Sequence, residues 1–199
     1  MKKILILGGG TAGLIVANKL ARELRKEIAK DEIEIIILDK SNTAINKAGF
    51  TFVPFGYLTE QDLLRDKKSL VSPRIKKAIF GDEKETVKRI DIKNKKVVTE
   101  NNNEFSYDYL VIAMGSRPNL TNVNGLSKKK DFNSFYTSYN DAFNLVQKIK
   151  SFEKGDIMIL VTNMPIPCPG AQTKFSILLS DYPKYVKDIK IREQTALLV

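Results

Sequence analysis

The first forty residues read as strand, glycine turn, helix, strand. Residues 2–7 (KKILIL) end in an unbroken apolar run, the pattern of a strand buried on both faces. Glycines follow at 8, 9, 10 and 13. Beyond them Leu14, Ala17, Leu20, Ala21, Leu24 and Ile28 recur at spacings of three and four, one apolar face of a helix predicted to run through Lys30. Residues 33–38 (IEIIIL) predict a second strand that ends at Asp39. Such a unit crosses over right-handedly.

The pattern is less regular after that. Residues 44–59 hold Phe50, Phe52, Pro54, Phe55 and Tyr57 between Gly49 and Gly56, and predict an aromatic-rich loop. Residues 63–77 predict a helix broken at Pro73. Strands are expected at 78–80 and 85–92, and a hairpin of 95–99 with 104–107 around Asn101-Asn102-Asn103. Residues 109–113 (YLVIA) predict another buried strand, running into Met114-Gly115-Ser116-Arg117-Pro118. The polar stretch 118–133 suggests a boundary. A helix at 141–152, a strand at 156–162, a proline-rich turn to Gly170 and a helix near 171–180 then begin a second unit. Residues 189–199 add apolar positions with no predicted partner. The expected fold class is α/β: a Rossmann-like domain with a parallel sheet and an antiparallel hairpin insertion over 1–118, then a linker and an incomplete second Rossmann-like domain over 119–199.

Composition narrows the chemistry. Of 199 residues 43% are apolar, enough for a full domain and part of another. A single cysteine and no histidine exclude an internal disulfide, cysteine zinc sites and histidine-based triads. What remains is a cofactor, Cys168, carboxylates and lysines. The net charge of +10 could attract nucleic acid, anionic lipid or an anionic cofactor. The charges are scattered, with Lys128-Lys129-Lys130 the only unbroken triple and no interleaved aromatics, which disfavours nucleic acid. No signal-peptide pattern or membrane-spanning run is visible, so the reducing cytoplasm is the expected location.

Gly8-x-Gly10-x-x-Gly13 carries the sharpest expectation, because a strand precedes it, a helix opens on it and a second strand closes the unit with an acid. Gly8 allows the tight turn, Gly10 lets a diphosphate approach the backbone, and Gly13 lets helix and strand pack closely. Thr11 and Ala12 then lie at a helix N-terminus, whose free N–H groups and partial positive charge suit phosphate. Asp39, with Lys40 beside it, is placed to accept from ribose hydroxyls. Asp39 lies farther from Gly13 than the usual 20 or so residues, which the long helix explains. Glu34 competes for that role but sits mid-strand.

Together with Tyr107-Asp108-Tyr109-Leu110-Val111-Ile112-Ala113-Met114-Gly115, this fingerprint resembles the flavoprotein superfamily with two dinucleotide-binding domains. Met114 stands where that superfamily usually has threonine. The resemblance implies that Gly8, Gly10, Gly13, Asp39, Met114 and Gly115 contact FAD, and that Val87 meets adenine through its backbone. Within the superfamily, Pro165-Ile166-Pro167-Cys168-Pro169-Gly170-Ala171 with Lys174 is similar to a stretch of sulfide:quinone oxidoreductases in which the cysteine carries sulfur beside the flavin. Gln172 replaces a proline of that pattern. Phe52-x-Pro54-x-Gly56 resembles the same family's loop near the flavin ring. The likeness spans about the first half of such an enzyme. It implies FAD as cofactor, sulfide and quinone as substrates, Cys168 as the catalytic thiol, and peripheral membrane contact through the later half.

The residues themselves also favour a redox thiol. Residues 163–170 hold three prolines and no second Gly-x-Gly-x-x-Gly, which argues against a nicotinamide nucleotide there. Cys168 precedes a predicted helix with Pro169 suited to its first position, where a thiolate gains from the helix N-terminus. Lys174 would add positive charge. A buried structural thiol is the alternative. Two other functional readings stay open: an NADH-fed quinone reductase, and a truncated, non-catalytic FAD-binding remnant.

Overall fold

The structure, a computed structural model, describes residues 1–116, 119, 123, 133–136, 138–162, 166, 168–182 and the backbone of 189–195. In chain order it contains β1 (Lys2–Leu7), α1 (Thr11–Glu23), α2 (Arg25–Ala29), β2 (Ile33–Asp39), β3 (Thr43–Ile45), α3 (Glu60–Leu63), β4 (Leu64–Asp66), β5 (Lys77–Phe80), β6 (Val87–Asp91), β7 (Lys96–Thr99), β8 (Glu104–Ser106), β9 (Tyr109–Ile112), α4 (Tyr139–Lys150), β10 (Gly155–Val161), α5 (Ala171–Asp181) and β11 (Ile189–Thr195). By internal contact the chain forms two units, Met1–Ile45 with Leu64–Ser116 and Asn46–Leu63 with Arg117–Val199. The expected division at 118 treats the two domains as consecutive in sequence. By contact, the aromatic segment 46–63 groups with the later residues.

The first unit is a parallel sheet of order β5-β2-β1-β9, covered on both faces. Alternation along the strands sorts the two layers. Ile4, Ile6, Ile35 and Ile37 face Leu14, Ala17 and Ala21 of α1 and Ile28 of α2. Leu5, Leu7, Ile36 and Leu38 face the antiparallel sheet β6-β7-β8 through Val97, with Ile90 and Phe105 at its margin. Leu5, Leu7 and Ile37 are fully buried, each contributing roughly 1.5–3 kcal/mol. The α/β class, the parallel sheet and the antiparallel insertion all match the sequence reading.

Three details differ from it. The helix expected to run through Lys30 is interrupted at Leu24, between α1 and α2. Residues 63–77 form no long helix. Leu64–Asp66 instead pairs antiparallel with Thr43–Ile45, and Asp66 caps a 3-10 turn at Lys67–Leu70 by accepting from the Lys68 N–H. The apolar tail also has a partner, since β11 runs parallel to β10 over the whole of Ile189–Thr195.

In the second unit, β10, α5 and β11 form a strand-helix-strand arrangement. Phe55, Ile149, Ile159, Phe175 and Leu179 form its core. Phe135 stacks on Phe175 at 4.2 Å between ring centres, and Phe55 meets Phe175 at 5.1 Å and Tyr182 at 5.6 Å. These contacts explain why Phe55, in a 3-10 turn at Val53–Phe55, belongs with α5. Ser138 caps α4 by accepting from the Asp141 N–H.

Candidate functional site

The C-terminal ends of β1, β2, β5 and β9 converge. The parallel register sets Leu7 level with both Leu38 and Ile112, and Asp39 level with Phe80. In open α/β sheets this edge is where ligands bind.

At the tip of β1, Gly8 has φ +99°, and a β-carbon there would lie 2.4 Å from the Ala113 carbonyl oxygen. A β-carbon on Gly13 would lie 1.8 Å from the Gly8 carbonyl oxygen. These two glycines lock the turn to β9 and α1 to the turn. Gly10 behaves oppositely: a β-carbon there meets nothing within 4 Å. Gly10 is also the N-cap of α1, with no side-chain cap, so the opening N–H groups, those of Thr11 and Ala12 among them, have no capping side chain. Open space, uncapped amides and the positive end of a 13-residue helix together fit a diphosphate.

Asp39 leans into the turn. Its Oδ2 accepts from the Gly9 N–H at 2.6 Å, and its Oδ1 accepts from the Ser41 N–H at 2.8 Å. Lys40 is exposed beside it. Met114 and the positive-φ Gly115 follow β9, and the Met114 Cα passes 2.9 Å from the position of a Gly8 β-carbon. The structure therefore brings Gly8, Gly10, Thr11, Ala12, Gly13, Asp39, Lys40, Met114 and Gly115 to one sheet edge. Val87 belongs instead to β6, half-buried against the sheet at a register irregularity before Arg89. Glu34 is held by Lys77 at 2.8 Å, away from the strand tips.

Lys67 was not legible as part of this site. It is 4% exposed, with Nζ 3.0 Å from Asp39 Oδ2 and donating to the Ser41 carbonyl at 2.8 Å. In sequence it was one lysine among several in a stretch expected to be helical.

Cys168 belongs to the second unit and is half-buried. The helix after it opens at Ala171 with Gly170 as N-cap, so Pro169 lies in the preceding turn rather than at the first helical position. The Cys168 carbonyl accepts from the Ala171 N–H at 3.1 Å. Gln172 donates to the Pro169 carbonyl at 2.6 Å, and its buried Oε1 has no partner among the described residues. Lys174 is exposed on α5. The Tyr136 hydroxyl reaches the Cys168 thiol, and burial, then that thiol, raises the tyrosine pKa above its ordinary 10.0. No sequence signal marked Tyr136. Asn163, Met164, Pro165 and Pro167 of the cysteine segment, and Lys128-Lys129-Lys130, lie outside the described residues. Among the described residues there is no cluster of potential metal ligands, and no helix is long and apolar enough to cross a membrane.

A glycine-locked turn before an uncapped helix, with an acid at the tip of the neighbouring parallel strand, defines an α/β protein of Rossmann type, a fold that commonly serves dinucleotides. Residues 2–159 match the family model described as pyridine nucleotide-disulphide oxidoreductase, and the chain belongs to that family. The similarity to sulfide:quinone oxidoreductases is also found. The mitochondrial sulfide:quinone oxidoreductase of Dictyostelium discoideum is 30% identical over 90% of this chain and 38% of its own length. A type II NADH:quinone oxidoreductase of Staphylococcus haemolyticus is 32% identical over 63% of this chain and 29% of its own. The solved sulfide:quinone oxidoreductase of Aquifex aeolicus superposes with a TM-score of 0.68 at 19% identity, covering 94% of this chain and 42% of that one. The chain thus spans about two fifths of the length of these sulfide:quinone oxidoreductases, and fits their N-terminal part.

Proposed function

We propose that this chain is the FAD-binding part of a sulfide:quinone oxidoreductase-like flavoprotein. The observation that carries the reading is the open space at Gly10 between two glycines that admit no side chain. The N–H groups of Gly10, Thr11 and Ala12 would hold the diphosphate, and Asp39 with Lys40 the adenosine ribose. Val87 would meet the adenine, and Met114 with Gly115 would flank the cofactor past β9. Bound FAD would supply a two-electron relay between sulfide and quinone. Cys168 is the chain's own sulfur-handling group on this reading: a half-buried thiol is within reach of sulfide in solution yet partly shielded from bulk water. Tyr136 can donate to a thiolate there and steady its charge. Contact with a membrane surface, the source of quinone, belongs to the same proposal.

The test uses the purified chain and its Cys168→Ser variant. Flavin absorbance should copurify with or titrate into both, and sulfide should bleach it only where Cys168 is present. Equal bleaching in the variant would remove Cys168 from the chemistry. The similarity to a type II NADH:quinone oxidoreductase favours a second reading, which flavin reduction by NADH without sulfide would support. Flavin that neither donor reduces would point to a non-catalytic FAD-binding remnant.

A further inference from the structure

We infer that Lys67 is a positioning residue for the ribose subsite, setting which oxygen of Asp39 meets the nucleotide. The inference rests on the dinucleotide reading above and concerns a residue that the glycine fingerprint does not include. An ionised carboxylate offers about four acceptor positions. On Oδ2, the Gly9 N–H at 2.6 Å takes one, and the Lys67 ammonium stands 3.0 Å from the same oxygen as an ion pair. On Oδ1, the Ser41 N–H at 2.8 Å takes one and leaves one. A ribose hydroxyl therefore meets Oδ1, and the carboxylate cannot rotate to offer Oδ2 without breaking two contacts.

Burying a lysine is costly, and a hydrophobic side chain of similar volume is often as stable in its place. Here the ammonium is also held by the Ser41 carbonyl at 2.8 Å and lies 5.9 Å from the centre of the Phe80 ring. Phe80 in turn abuts the turn, its Cε1 2.9 Å from where a Gly9 β-carbon would be. Lys67 thus sits behind the acid and against the residues that support the turn. It also balances the acid's charge, which would otherwise stand beside the diphosphate.

The test measures binding of adenosine diphosphate and of its 2′-deoxy and 3′-deoxy forms to the wild-type chain, Lys67→Met and Lys67→Arg, by calorimetry. Circular dichroism on the same samples establishes folding. In the wild type, loss of the hydroxyl that Asp39 holds should weaken binding about 10- to 100-fold, the worth of one hydrogen bond to a charged group. In Lys67→Met that ratio should fall towards one, and Lys67→Arg should restore most of it. A purely structural lysine would weaken all three ligands alike, so an unchanged ratio in folded Lys67→Met overturns the inference. If Lys67→Met does not fold, Lys67→Gln carries the same comparison. Wild-type chain that binds no adenosine diphosphate overturns the dinucleotide reading itself, and this inference with it.

Discussion

Substituting alanine separately at Gly10 and Gly13 should split ligand binding from folding. At Gly10 the backbone is extended, with φ −76° and ψ −172°, a conformation alanine adopts freely. A β-carbon there touches nothing within 4 Å. Alanine is the poorer N-cap, so stability should fall by no more than about 1 kcal/mol. The methyl group would nonetheless stand where a diphosphate must approach the amides. Losing one charge-assisted hydrogen bond of roughly 1.5–3 kcal/mol weakens binding about 10- to 100-fold. At Gly13 the same methyl would fall 1.8 Å from the Gly8 carbonyl oxygen and 3.0 Å from its carbon, both backbone atoms that cannot turn aside. Overpacking of that severity costs about 3 kcal/mol, which lowers Tm by roughly 6–12 °C for a chain of this size. Flavin fluorescence titration and thermal unfolding on the same preparations measure both quantities. Gly10→Ala that binds FAD with wild-type affinity would refute the phosphate role of the turn. Equal Tm losses in the two variants would refute the geometry.

Two further outcomes concern the second unit. Phe175→Ala removes the ring shared by Phe55 and Phe135, and at 4% exposure it should cost about 3–5 kcal/mol, read as a lower urea midpoint; an unchanged midpoint would show that the stack does not hold the unit. Tyr136 holds its proton above the ordinary 10.0, through burial first and the Cys168 thiol second, so the unfolded chain releases that proton at lower pH than the folded one. Stability from this group is fully present below about pH 10 and declines as pH rises through the folded value; Tyr136→Phe should flatten urea midpoints measured between about pH 9 and 11, and an identical slope would refute the contact.

The first strand-helix-strand unit was legible because its signals are local. Residues 2–38 repeat at the period of a buried strand, then of a helix, then of a strand again, and the glycines punctuate them where the backbone must turn. Residues 63–77 failed for the opposite reason. Leu64–Asp66 becomes a strand through pairing with Thr43–Ile45, a partner some twenty residues away that leaves no periodic trace in its own segment. The tail was misjudged in the same way. Its apolar positions looked unpartnered until β11 paired with β10 along seven residues, across a crossover that contains α5. The grouping of 46–63 with later residues depends on where Phe55 meets Phe175, a contact no window of sequence contains.

Asp39 and Lys67 show the same limit within the candidate site. The acid could be found because its role is fixed by its place at the end of a strand beside a glycine turn. The lysine could not, because its role is fixed by the acid. It reaches Asp39 because β3 pairs with β4, which sets residues 67–70 beside the end of β2, where the Lys67 N–H donates to the Asn42 carbonyl at 2.8 Å. A fingerprint read along the chain thus identifies groups that would touch a nucleotide. The groups that hold those in place come from whichever element the fold brings alongside. In this chain that element is the short antiparallel pair, whose closure delivers a buried cation to the carboxylate at the sheet's edge.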